Sequence, residues 1–223
     1  MAEADPIALT PNQRIRRHVA QRLSLRKPQE EALTILAELA DRIDWCGEVD
    51  TRGLLAEVAA AYPSVESFER EFPSLCFSLA TGVGKTRLMG AFIAYLYLTG
   101  RSKNFFLLAP NTTIYDKLVE DFSRQSSPKY VFRGIAEFAQ TPPIIVTGNT
   151  WDEGRGIRGT QLIGDAIINI FNVDKINKEK GRIRSFRETL GESYFDYLAG
   201  LDDLVMLMDE AHRYRAKAAA NAV

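Results

Sequence analysis

Apolar positions in the first third of the chain fall at helical spacing. Ala32, Leu33, Ile35, Leu36, Leu39, Ala40 and Ile43 recur three and four residues apart, after Pro28 at a first helical turn. Leu54, Leu55, Val58, Ala59 and Tyr62 form a second stripe that Pro63 stops. Residues 1–70 are therefore predicted to be a helical segment whose stripes pack on a neighbour. From residue 74 the texture changes. SLCFSLA (74–80), NFFLLAP (104–110), KYVFRG (129–134), PIIVTG (143–148), AIINIFN (166–172) and LVMLMDE (204–210) are predicted strands. Helices are expected over Thr86–Leu98, Thr112–Gln125 and Ser185–Leu198, and again after residue 210. Apolar strands separated by helices imply a parallel sheet covered on both faces, hence an α/β domain over residues 71–223. Gly154, Gly156 and Gly159, among Asp152, Glu153, Arg155 and Arg158, mark a polar loop long enough to be functional or mobile.

Composition narrows the classes. Apolar residues make up 46% of the 223 and charged residues 26%, so the chain is globular rather than disordered. Lys and Arg number 28 against 29 Asp and Glu, which excludes a generally basic coat for nucleic acid. Local basic runs remain: Arg14, Arg16, Arg17, Arg22, Arg26 and Lys27, then Lys175, Lys178, Lys180, Arg182, Arg184 and Arg187. Either could attract a polyanion or simply be solvated surface. Cys46 and Cys76 are isolated, with neither metal-ligand spacing nor a disulfide framework, which suits a reducing, cytoplasmic setting. The acidic N-terminus MAEADP is unlike an export signal, and the apolar run AFIAYLYL (91–98) is far short of the ~20 residues a membrane span needs.

The chemistry concentrates first at Leu79-Ala80-Thr81-Gly82-Val83-Gly84-Lys85-Thr86, between a predicted strand and a predicted helix. Gly82 and Gly84 let the backbone curl so that successive N–H groups face phosphate oxygens. The helix N-terminus adds partial positive charge. Lys85 would supply full charge to the β- and γ-phosphates, and the Thr86 hydroxyl a ligand for Mg²⁺. The strict loop pattern asks for glycine where Leu79 stands, so a glycine-rich turn with an exposed lysine is the bland alternative. The second concentration is Leu204-Val205-Met206-Leu207-Met208-Asp209-Glu210-Ala211-His212. Five apolar residues run into two carboxylates at the C-terminal end of a strand, the edge where ligands of parallel sheets bind. Asp209 could hold Mg²⁺ through water and Glu210 could orient or deprotonate an attacking water. One nucleotide–Mg²⁺ site explains both motifs. His212 is either an ordinary polar residue or a link from that site to a neighbouring domain.

With ATGVGKT and DEAH both present, the chain resembles the first motor domain of superfamily 2 helicases and translocases. More narrowly, LATGVGKTRLMGAFIAYL, FFLLAPNTTIYDKL and MDEAHRYRA are similar in wording and order to the helicase part of type III restriction enzyme restriction subunits. The resemblance implies a RecA-like P-loop NTPase fold, ATP and Mg²⁺ as cofactors, and movement on DNA, expected to be double-stranded. It matches Gln29 to a glutamine that contacts adenine. It matches Pro110, Asn111 and Thr112 to a segment touching the nucleic-acid backbone, and it places further strand contacts at Thr147, Asn149 and Asn172. It also implies a modification (methyltransferase) subunit as partner.

The same resemblance implies parts expected after DEAH: a third motif, a second motor domain that supplies an arginine finger, and a nuclease domain. The chain stops at Val223 before them. It is therefore expected to be an N-terminal piece of a larger enzyme, nearly inactive alone. In the family fold the third motif's strand lies between the phosphate-loop strand and the acidic strand. Those two strands must then leave a gap, pair directly, or accept a strand from elsewhere. Rival readings are another superfamily 2 motor acting in DNA repair or on RNA, and a non-catalytic nucleic-acid-binding module. A small-molecule kinase also uses a loop ending GKT but would not need the acidic pair.

Overall fold

The computed structural model describes residues 9–42, 50–151, 165–173, 186–187 and 192–211. Three helices lead: α1 (Pro11–Arg22), α2 (Lys27–Ala40) and α3 (Thr51–Ala61). Each begins where a side chain can satisfy the open N–H groups of a first turn. Thr10 Oγ1 accepts from the Gln13 N–H at 3.2 Å while Gln13 Oε1 accepts from the Thr10 N–H at 3.0 Å, a reciprocal capping box. Asp50 caps α3 through the N–H groups of Arg52 and Gly53.

Helix α4 (Lys85–Leu98) is the centre of the packing. Leu88 through Leu96 are buried without interruption, so the helix has no polar face and must be enclosed on all sides. Helices α1 and α2 lie against it, and Val19, Leu23, Leu33 and Ala37 share one core cluster with Ile93, Phe105, Leu107 and Ile168. The closest approach is made by a turn: a Cβ at Gly90 would fall 2.8 Å from Val131 Cβ.

The strands are β1 (Asn104–Ala109), β2 (Ile144–Thr147), β3 (Ile167–Asn172), β4 (Phe186–Arg187), β5 (Glu192–Ser193) and β6 (Leu204–Met208). Four form one sheet in the order β2-β3-β1-β6, and every pairing is parallel. β3 is buried at all six positions, as expected of a strand covered on both faces. The cover includes α5 (Thr112–Ser123), which contacts β1, β2 and β3. A second apolar cluster joins Phe171 and Val146 to Trp151, Tyr194 and Tyr197. Short helices α6 (Ala136–Gln140) and α7 (Tyr194–Ala199) complete the described elements. The expected α/β class with a parallel sheet flanked by helices is what forms.

Three predicted elements differ. Residues 74–80 are not a paired strand; Phe77 and Leu79 lean on the core while Cys76, Ser78 and Ala80 are exposed. Among the described residues β6 pairs with β1 alone, so no strand lies at hand to accept the ladder bonds of 74–80. Among the described residues the phosphate-loop segment and the acidic strand do not pair directly. KYVFRG also forms no strand. Tyr130, Val131 and Phe132 are buried, but in successive turns, with Phe132 stacked on Phe138 at 4.2 Å. Pro128 and Gly134 (φ +100°) bracket the run, and burial alone does not distinguish turn from strand. The expected helix from Ser185 begins only at Tyr194, with Ser193 as its cap; Phe186–Arg187 instead pairs antiparallel with Glu192–Ser193. A serine's preference for the cap position accounts for the start at Tyr194. The polar loop at 152–159, the basic run from Lys175 to Arg184, Cys46, Ile43 and the segment after residue 211 lie outside the described residues.

Candidate nucleotide site

All four parallel strands deliver polar residues to one edge. Ala109 is in register with Asn172, Leu108 with Met208, and Ile170 with Thr147. Asn111 and Thr112 after β1, Thr147 ending β2, Asn172 ending β3, and Asp209 and Glu210 after β6 therefore share the C-terminal edge, where ligands of open parallel sheets sit.

The glycine-rich segment meets this edge at the start of α4. Gly82 and Gly84 have φ of +81° and +94°, a region that costs other residues a Cβ clash. Gly84 is the residue before the first helical turn, so the loop turns directly into the N-terminus of α4. Lys85 opens that helix, and its Nζ lies 3.0 Å from Glu210 Oε1. The two side chains are 31% and 27% exposed, so this pair is partly shielded from water rather than a surface contact. The ion pair joins the two motifs, 125 residues apart in sequence. Glu210 has φ of +53°, a left-handed conformation rarely taken by a non-glycine residue and most often found at functional sites.

Asp209 sits one residue earlier, its N–H donating to the Leu108 carbonyl at 3.3 Å. Burial pushes its carboxyl above the usual carboxylate range, and the neighbouring Glu210 charge pushes the same way. A backbone N–H of Glu210 and the ammonium groups of Lys85 and Lys117 pull in the opposite direction. Asp209 is thus a carboxylate in want of more positive charge. No group of three or more His, Cys, Asp or Glu side chains among the described residues could cage a metal. A Thr86 hydroxyl and one Asp carboxylate instead suit Mg²⁺, a hard cation that keeps waters and shares phosphate oxygens.

Gln29 is 2% exposed, and its amide is engaged at both ends. Oε1 accepts from the Arg26 N–H at 2.8 Å, and Nε2 donates to the Gly84 carbonyl at 2.9 Å. Arg26 Nη1 also reaches the Gly82 carbonyl at 3.4 Å. The start of α2 therefore braces the glycine-rich loop. Sequence reasoning missed this brace and the field of Lys117, because both depend on helices brought near only by folding.

The other predicted positions bond to neighbouring residues or to one another. Asn111 Oδ1 accepts from the Ile114 N–H at 2.9 Å and so caps α5. Asn172 Nδ2 donates to Thr112 Oγ1 at 3.3 Å, linking the end of β3 to the start of α5. Thr147 Oγ1 lies 3.0 Å from Thr150 Oγ1 and accepts from the Asn149 N–H at 3.3 Å. His212 lies outside the described residues.

A parallel sheet, a glycine loop at a helix start and a carboxylate pair on the adjoining strand end define an ATP-dependent, helicase-like motor domain. The family model described as "Type III restriction enzyme, res subunit" matches residues 22–223. The chain belongs to that family, whose domain is a superfamily 2 first motor domain. No curated protein and no solved structure matches it.

Proposed function

We propose that this chain is the ATP-binding part of a DNA translocase or helicase, and specifically of the restriction subunit of a type III restriction–modification system. The observation that carries the nucleotide site is the 3.0 Å contact between Lys85 and Glu210. It places the loop's cation beside the carboxylate pair, and one triphosphate can be gripped between them. The N–H groups of residues 82–85 would face the phosphates, with the dipole of α4 behind them. Thr86 and Asp209 would hold Mg²⁺, which when bound neutralises charge building on the β- and γ-phosphates. Glu210 is a general base in waiting. It pairs with Lys85 at 3.0 Å; were Lys85 to turn to phosphate, the carboxylate would be free to accept a proton from an aligned water. The strand-end groups Pro110, Asn111, Thr112, Thr147, Asn149 and Asn172 would follow a DNA backbone, contacts that position without reading sequence. The cytoplasm, a methyltransferase subunit as partner, and a division into a helical segment 1–70 and a motor domain 71–223 belong to the same proposal.

Binding of a fluorescent ATP analogue with Mg²⁺ tests the site. Lys85→Ala should weaken it by about tenfold or more, the loss of one charge-assisted contact. Glu210→Gln should tighten it, because Lys85 no longer has to leave an ion pair. Equal affinity of wild type and Lys85→Ala would remove the phosphate role.

A further inference from the structure

Three guanidiniums line a single cavity that is separate from the Lys85–Glu210 pair. The cavity holds about 300 Å³, the small end of the range for ligand sites. Its wall comes from three stretches of chain: Arg22 and Ser24 at the end of α1, Arg87 in the first turn of α4, and Tyr130, Arg133 and Gly134 after α5. Lys85 and Arg87 are two residues apart in one helix, so they do not share a face.

The backbone holds these stretches together. Arg87 Nη1 donates to the Leu23 carbonyl at 2.8 Å, joining α4 to the end of α1. Gly134 has φ of +100°, and a Cβ there would lie 2.8 Å from the Arg22 carbonyl oxygen, so glycine lets the third stretch close on the first. Ser24 occupies the left-handed position after α1 (φ +48°) where glycine is the usual residue. Ser24 is one of the residues that line the cavity.

The three charges have no ion-pair partner among the described residues. Among the described residues the ion pairs involve Lys27, Arg42, Lys85, Arg101 and Arg124, and none involves Arg22, Arg87 or Arg133. Among the described residues the lining contains no carboxylate. Tyr130 is 5% exposed, and its hydroxyl makes no hydrogen bond of proper geometry, although Gln125 lies alongside. Like charges gathered around one concavity focus a positive potential. Guanidinium forks match the oxygens of phosphate in pairs.

We propose that this cavity is a second anion site, distinct from the glycine loop, that takes a phosphate group. The phosphate comes either from a nucleic-acid backbone or from a free phosphorylated small molecule. Arg22→Gln/Arg133→Gln tests this, with Arg87 kept because it ties α4 to α1. Both the reference and the double variant carry Lys85→Ala, so the glycine loop does not mask the result and the test does not depend on its role. The probes are pyrophosphate and a single-stranded oligonucleotide, each titrated over a range of salt, with thermal unfolding measured alongside. Both arginines are exposed, so the melting temperature should hold; if it falls, Arg133→Gln alone provides the comparison. A backbone source is read as about tenfold weaker oligonucleotide binding and a salt slope shallower by roughly 1.4, two single-strand phosphates' worth, with pyrophosphate unchanged. A free-anion source is read as the same loss for pyrophosphate with the oligonucleotide unchanged. Unchanged affinity for both probes overturns the site.

Discussion

Single side chains decide how the nucleotide site is poised. Gln29 is the brace: its amide satisfies the Arg26 N–H and holds the Gly84 carbonyl while almost wholly buried. Gln29→Ala should cost about 1–2 kcal/mol in denaturant unfolding, two modest hydrogen bonds and the space they filled. It should also weaken ATP-analogue binding, since Gly84 would lose the contact that fixes its carbonyl; an unaltered affinity would reduce Gln29 to a helix-start residue. Asp209 makes a pH prediction. Its carboxyl titrates above the ordinary range because burial, then Glu210, disfavour the charge. The folded state therefore holds this proton more tightly than the unfolded state does. The stabilisation that results is full below the unfolded pKa and is lost as pH rises through the folded one. Asp209→Asn removes the ionisation, so it should melt higher than wild type at pH 7, and the gap should close towards pH 3. A variant that melts lower at neutral pH would show that the charged carboxylate is already compensated.

Elements carry the next decision, because several candidate contacts are also structural caps. Asn111 sits where a backbone-contacting residue is expected, yet its Oδ1 caps α5. Asn111→Ala should destabilise by about 1 kcal/mol as a lost cap. Asn111→Asp keeps a cap acceptor and should restore stability, but its added charge should repel a phosphate backbone. DNA binding by filter retention then separates the roles: aspartate that binds as well as asparagine leaves only the cap. The strands β1, β2, β3 and β6 were legible because each is a short apolar run, although only β3 is buried at every position. The segment 74–80 looks the same in sequence, but a strand exists only when a neighbour accepts its bonds, and that neighbour is not encoded locally. KYVFRG misled for a related reason: its aromatics are core residues, carried by turns. The glycine loop and the acidic pair were legible because their chemistry needs those residue types in that order. The brace by Gln29 and the field of Lys117 were not, since helix packing alone brings them to the site.

At the scale of the whole molecule the sheet is lopsided. β1 and β3 are enclosed, whereas β6 pairs on one side only among the described residues. Its side chains alternate between partly buried and exposed, with Met206 47% and Met208 40% exposed, and Phe72 is 56% exposed. An open edge offers a row of unpaired N–H and C=O groups, and native proteins protect such edges with charge, proline or a covering segment. Here the edge strand itself reads LVMLM, without a charge until Asp209. Among the described residues no ladder joins β6 to the segment that leads into the glycine loop. The glycine loop and the carboxylate strand are thus joined by the Lys85–Glu210 pair and, among the described residues, by no shared ladder. The chain alone should therefore associate through this edge as concentration rises, which sedimentation velocity would read as a growing sedimentation coefficient. Met206→Lys puts a charge on the exposed side of β6 and should restore a monomer. Its melting temperature should barely move, because exposed substitutions are usually worth less than ~0.5 kcal/mol. A wild-type chain that stays monomeric across the whole concentration range would mean that the edge of β6 is already covered.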